Sequence, residues 1–226
     1  MVVKTQFEIR YTEILDFEYI YKEIFSPYLK FATANISNRG TYEEFIVLTF
    51  TDESTFIDCR KDRIIFVFDD KRENVFNPNG LTFNFFSILK TLTEQKSFGK
   101  ITNVIFGEWS IFESKGSQSE IRSRFRERYL LNLPVISDYK VDDLSVISNY
   151  KFDSKIINIA FGPYNPEHDI NKYNLRPPKV KQNFDLQEKN GLLIAAVAST
   201  AAISADVTTF KRLSRTLNEL TKQISI

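Results

Sequence analysis

The run RIIFVFDD at 63–70 closes an apolar, strand-like stretch on two adjacent carboxylates, Asp69 and Asp70. Oxygen pairs at a strand end are the donors a hard cation such as Mg²⁺ takes beside a substrate phosphate. Asp58 and Lys61 on the preceding hairpin would extend the pair into a nuclease-like carboxylate and lysine set. The continuation DDKREN is equally an ordinary solvated strand-to-loop transition, and that reading is preferred, so no metal is expected and Asp69/Asp70 stand as the alternative. His168 is the only histidine and lies in NPEHDIN between Glu167 and Asp169. Zinc sites generally draw on several His or Cys ligands, so this segment reads as a surface turn. The glycines, at 40, 80, 99, 107, 116, 162 and 191, form neither GxGxxG nor GxxxxGK[ST], and no GxSxG or Cys/His pair occurs. Dinucleotide, P-loop and triad chemistry are poor fits, and no cofactor is expected.

The other candidate is IRSRFRERY at 121–129, with Arg122, Arg124, Arg126 and Arg128 at every second position. Ser117 and Glu120 just ahead form an S-x-x-E capping box, which predicts a helix and deprives the alternation of meaning. At 100° per residue, Ile121, Phe125 and Tyr129 make one narrow apolar stripe flanked by the arginines. The first reading is a docked helix whose arginine stems lie along the seam with their charge in water. The functional reading is a partner-binding surface made of Arg122, Arg124, Phe125, Arg126, Arg128 and Tyr129, since arginine and aromatic residues are enriched at interface cores. Phosphate binding ranks third: four arginines could neutralise a backbone, but no stacking platform or nucleic-acid motif accompanies them.

These residues need a scaffold, and the patterning supplies one. Val3, Thr5, Phe7, Ile9 and Tyr11 alternate with Lys4, Gln6, Glu8 and Arg10, which predicts a half-buried strand. Phe17, Ile20, Tyr21, Ile24, Phe25 and Tyr28 recur at helical spacing, with Asp16 near the start and Pro27 in the last turn. Extended runs at 43–50, 54–59 and 63–70 form an antiparallel meander. After the turn signal NPNG at 77–80, Phe85, Ile88, Leu89 and Leu92 mark a second helix, and VIFGEWSIF at 104–112 reads as another strand.

The later chain is less regular. KIINIAF reads as a strand, FDLQ-EKNG-LLIAAV as a hairpin, PYNPEHDINKYNLRPP as a long loop, and a helix runs from Val207. GLLIAAVASTAAIS at 191–204 falls short of the roughly 20 apolar residues of a spanning helix and reads as a buried strand or strand pair, although its alanines permit a helix. A shift of 125 pairs Phe85 with Phe210, Ile88 with Leu213 and Leu92 with Leu217, an echo that admits two related β-α-β-β-β-α halves. The second half shows no clear first helix.

With 42% hydrophobic and 14% aromatic residues, the 226-residue chain can bury a sizeable core. Thirty basic against 29 acidic residues leave a net charge of +1, so any site for an anionic partner must be local. Cys59 is the only cysteine, which excludes an intramolecular disulfide and suits a reducing cytoplasm with a buried thiol. MVVKTQFEIRY lacks the features of a signal peptide, and a cytoplasmic location is expected.

The strand FEIRY at 7–11, followed by a helix, a meander, a second helix and a later half ending in a leucine-rich helix, resembles a sporadically distributed, largely uncharacterised bacterial protein family. The resemblance implies no assigned activity. Its sporadic distribution implies a subunit of a bacterial defence or toxin-control system. The expected architecture is an α+β fold, an antiparallel sheet covered by helices. Residues 1–115 form an N-terminal half, 116–150 a helical and irregular connector, and 151–226 a C-terminal half, packed as one globular unit. The expected function is non-enzymatic binding of another protein or of a second copy. A Mg²⁺-dependent phosphodiesterase at Asp69/Asp70, or nucleic-acid binding through 121–129, is the alternative. No membrane partner is expected.

Overall fold

In the computed structural model, the described residues are 1–50, 55–68, 76, 82–130, 144–176, 185–201 and 204–224. They form strands β1 (Val2–Tyr11), β2 (Ala32–Ser37), β3 (Phe45–Phe50), β4 (Thr55–Arg60), β5 (Arg63–Phe68), β6 (Ile101–Glu113), β7 (Val146–Phe152), β8 (Lys155–Pro163) and β9 (Gly191–Thr200). The helices are α1 (Phe17–Phe25), α2 (Thr82–Thr93), α3 (Gln118–Tyr129), α4 (Pro166–Lys172) and α5 (Val207–Thr221). All nine strands join one antiparallel sheet in the order β2-β3-β4-β5-β1-β6-β9-β8-β7. The α+β class expected from the sequence is what the chain adopts.

β1 lies in the middle of this sheet because its alternation suits a strand with neighbours on both edges and one face buried. Phe7 faces Phe66 of β5 and Phe106 of β6, and Ile9 faces Ile64 and Val104. These side chains point to one face, where α1, α2, α3 and α5 lay down Phe17, Ile20, Ile24, Phe85, Ile88, Phe125, Phe210 and Leu213 in a single cluster. Phe7 is its hub: its ring sits 4.7 Å from Phe210, 5.3 Å from Phe106 and 5.8 Å from Phe68. The echo between the two helices has a physical meaning, since Phe85, Ile88 and Leu92 on α2 and Phe210, Leu213 and Leu217 on α5 are all fully buried.

The chain order repeats at the level of topology. β1 is followed by α1, the strands β2 to β5, and α2; β6 is followed by α3, then β7, β8 and β9 with α4 interposed, and α5. In each run the last strand returns to pair with the first, β5 with β1 and β9 with β6, and the two first strands pair with each other. The helix α3 therefore holds, after β6, the place that α1 holds after β1. The sequence reading assigns this helix to the connector at 116–150, which leaves the half at 151–226 without a first helix.

Three expectations change. FDLQ is not the first arm of a hairpin: Asp185 caps a 3₁₀ turn at Leu186–Glu188, accepting from the Gln187 N–H, and LLIAAV belongs to the single strand β9. The loop-rich stretch contains α4, with Asn165 as its cap and Pro166 in its first turn, where proline is favourable. β2 and β7 escape the sequence reading altogether. Both are edge strands with little burial, so neither carries the alternation that marks a half-buried strand.

Candidate interaction surface

The arginine helix begins as its sequence predicts. Ser117 Oγ accepts from the Glu120 N–H at 3.3 Å, and Glu120 Oε2 accepts from the Ser117 N–H at 2.6 Å, which holds the Glu120 carboxyl below its usual range. The apolar stripe is core. Ile121 and Phe125 are fully buried, and the rings of Phe125 and Tyr129 stand 5.9 and 5.1 Å from Phe161 of β8. Phe125 therefore has no surface to offer a partner, and its place in the predicted binding set is corrected on that ground. Arg124 is exposed but engaged, donating to Ser114 Oγ at 3.2 Å and to the Lys115 carbonyl at 2.8 Å, so it ties the β6–α3 turn together. The Arg128 guanidinium lies 5.7 Å from the Tyr129 ring centre. Arg122 and Arg126 are half-buried along the seam.

Among the described residues, the catalytic candidates are not drawn together. Asp69 and Asp70 lie outside the described residues. Asp58 pairs with Arg60 at 3.3 Å, and the Lys61 ammonium lies 6.0 Å from the Tyr42 ring. His168 and Glu167 are exposed on α4, while Asp169 turns inward to accept from the Asn165 N–H at 2.8 Å, a capping role. Among the described residues, no group of three or more His, Cys, Asp or Glu could hold a metal ion. Cys59 is buried, and burial pushes its thiol well above its ordinary range, beside the hydrogen-bonded pair Tyr11 and Tyr21. A thiol held in that form is a poor nucleophile.

What the sequence reading missed is the other face of the sheet. At one end of it, Trp109, Ile111 and Leu193 pack under Tyr164, Leu175 and Leu186 in a second, smaller cluster. Here Gly107 is required, because a Cβ on it would lie 2.7 Å from the Trp109 ring. The Lys4 ammonium stands 4.3 Å from that ring's centre and donates to the Tyr173 carbonyl at 3.2 Å; burial lowers its pKa to about 8.

Beyond this cluster no described helix covers the face. Phe45, Phe56, Ile65, Ile105 and Val197 lie on it half-buried, between the ion pairs Glu8–Arg10 at 2.8 Å and Asp58–Arg60. Where the β2–β3 and β4–β5 turns converge, the face runs into a 420 Å³ groove lined by Tyr42, Glu44, Phe45, Arg60, Lys61 and Arg63. The Arg60 guanidinium lies 5.1 Å from the Phe45 ring centre. The polar half of the β1 alternation announced this face. The neighbouring strands concealed it, since a run such as RIIFVF is apolar on both sides.

Comparison of the chain with protein-family models and with curated proteins finds no match. Among the described residues, no helix is long and apolar enough to cross a membrane.

Proposed function

We propose that this chain is a non-enzymatic protein-binding subunit whose partner lies against the helix-free face of the sheet. One observation carries the reading: half-buried apolar side chains, Phe56, Ile65, Ile105 and Val197, share that face with charges that already have partners. Apolar and aromatic groups at the centre of a patch, with satisfied polar groups around them, suit a protein surface. A phosphate backbone instead draws on cations free to neutralise its phosphates and displace its counterions, and here Arg10 and Arg60 are held by Glu8 and Asp58. The setting in a bacterial defence or toxin-control system enters this proposal through the family resemblance alone.

The test is affinity purification from the native host, with co-purifying protein and nucleic acid both identified. Ile65→Lys or Ile105→Lys, checked for retained fold by circular dichroism, should remove the bound protein. Charge reversal at Arg124 and Arg128 should leave it in place. A retained nucleic acid, lost on that reversal and insensitive to the face substitutions, would overturn the reading in favour of the arginine helix.

A further inference from the structure

Among the described residues the two ends of the sheet are built differently, and the difference points to a second copy of the chain. On the first side, the strand before the β4–β5 hairpin, β3, does not form the edge: β2 pairs with it over Ala32–Phe50 to Ser37–Phe45. On the second side β7 is the third strand out from β6, as β3 is the third out from β1, and among the described residues nothing pairs with its outer edge. The exposed side chains follow the same asymmetry. β2 shows Thr33, Ala34 and Asn35 to solvent, whereas the β7–β8 hairpin exposes Ile147 at 62%, Phe152 at 61%, Ile156 at 57% and Tyr150 at 44%. An exposed edge with large apolar side chains is a template for another strand.

The hairpin fixes which groups that strand would meet. Phe152 and Lys155 close a two-residue turn, with Asp153 in the left-handed region at φ 51°. In such a turn the closing pair is hydrogen-bonded, and bonded and non-bonded pairs alternate along the ladder. Phe152, Tyr150 and Ser148 therefore direct their backbone groups into β8, and Lys151, Asn149 and Ile147 direct theirs outward.

We propose that two copies of the chain pair antiparallel through β7, with Asn149 opposite Asn149 of the second copy on the two-fold axis. This register joins outward groups to outward groups, Ile147 to Lys151 and Asn149 to Asn149. It is self-complementary in the other positions too. Val146 meets Phe152 and Ser148 meets Tyr150 in the closely spaced non-bonded pairs on the helix-covered side, so an aromatic packs on a β-branched residue at each end. The one charge on the strand, Lys151, faces an isoleucine rather than another lysine. The pairing concerns the edge and is independent of the reading of the helix-free face.

Sedimentation equilibrium over a wide concentration range tests the proposal. The wild-type chain is expected to dimerise. Asn149→Pro removes an outward N–H while leaving every backbone β7–β8 bond in place, giving up only the side-chain bond that Asn149 Oδ1 accepts from Asn158 Nδ2, and it should give a monomer with little change in thermal unfolding. Because proline could disturb folding, a charge pair at the same register supplies a second test: Ile147→Lys opposes two ammonium groups, and Ile147→Glu opposes a carboxylate to Lys151. The dissociation constant should be about tenfold weaker for the lysine variant than for the glutamate variant, since the pair occurs at both ends of the interface. Ala34→Glu on β2 should leave the dimer intact. A wild-type monomer at every concentration, or a dimer indifferent to both Asn149→Pro and the Ile147 pair, would overturn the proposal.

Discussion

The two runs of the fold, β1 to α2 and β6 to α5, place their elements alike and fill the space between them differently. In the first, β5 presents Phe66 and Phe68 to the helices, and Phe66 stacks on Phe85 of α2 with ring centres 5.0 Å apart. In the second, the strand in the same place, β9, presents Ala196 and Ala198, under a helix α5 whose Phe210, Leu213 and Leu217 match the Phe85, Ile88 and Leu92 of α2. The helices are alike and the strands beneath them are not, phenylalanine in β5 and alanine in β9, so close packing has two local solutions within one arrangement of elements. The comparison teaches that the shared topology is specified by where apolar positions fall, while the choice of side chain is settled locally in each half.

The seam between the halves is the most sensitive place to break this arrangement. Phe7 touches rings from both runs, so Phe7→Ala should cost about 3–5 kcal/mol in a denaturant titration. Unfolding in two separate transitions after that change would show that the runs are stable units on their own; a single transition at lower denaturant is expected.

A buried charge beside the seam gives the next effect. Lys4 has its pKa lowered from 10.5 to about 8 by burial under the second cluster. Between those two values the unfolded chain keeps a proton that the folded chain has released, so stability rises with pH across that window. Lys4→Met, which keeps the stem on Trp109, should be more stable than wild type at pH 7 by up to about 3 kcal/mol. The gap should close as pH rises beyond 8. Tyr11 and Tyr21, whose pKa values burial raises well above 10, act in the opposite sense at higher pH in both proteins, so the difference between the two proteins isolates Lys4.

The contrast between the two packing solutions can be sharpened by reversing it. Ala198→Leu adds bulk to β9 where α5 already supplies it, and should cost about 1–3 kcal/mol through strain. Little change in the denaturation midpoint would show that the second half has slack the structure does not suggest. The smallest effect belongs to α3: Ser117→Ala removes the cap and should cost about 1 kcal/mol by thermal or denaturant unfolding.

How much of this could be read in advance followed burial. The period-2 alternation of residues 3–11 and the helical spacing of Phe17 to Phe25 were legible because each element sorts apolar and polar residues onto two sides, although the polar side of β1 is itself largely covered, with Lys4 and Glu8 buried. β2 and β7 were not, since ATANIS and VISNYKF sit at the sheet margins, where burial no longer sorts side chains by parity. The capping box of α3 was legible to the residue. Whether its apolar seam met a partner or its own sheet was not, because Phe125 looks the same in sequence whether it faces Phe161 or another molecule. The helix-free face was half visible for the same kind of reason: β1 alternates cleanly, but β5 is apolar on both sides, Ile65 and Val67 on one and Ile64, Phe66 and Phe68 on the other, and only the sheet order assigns them a face.

The central position of β1 bears on how the molecule comes to be folded. Phe7 has one partner at Phe66 and another at Phe106, so both of its edges are satisfied by strands far along the chain. No local hairpin can form the middle of this sheet, and long loops must close before its central strand is protected. Folding should accordingly be slow for a chain of this size, with β1 a late insertion between the β2–β5 meander, which forms by short-range pairing, and β6, which itself waits on the distant β9. Until that insertion, β5 and β6 each present a bare edge rich in phenylalanine, which makes the interval before β1 docks the moment of greatest exposure to aggregation.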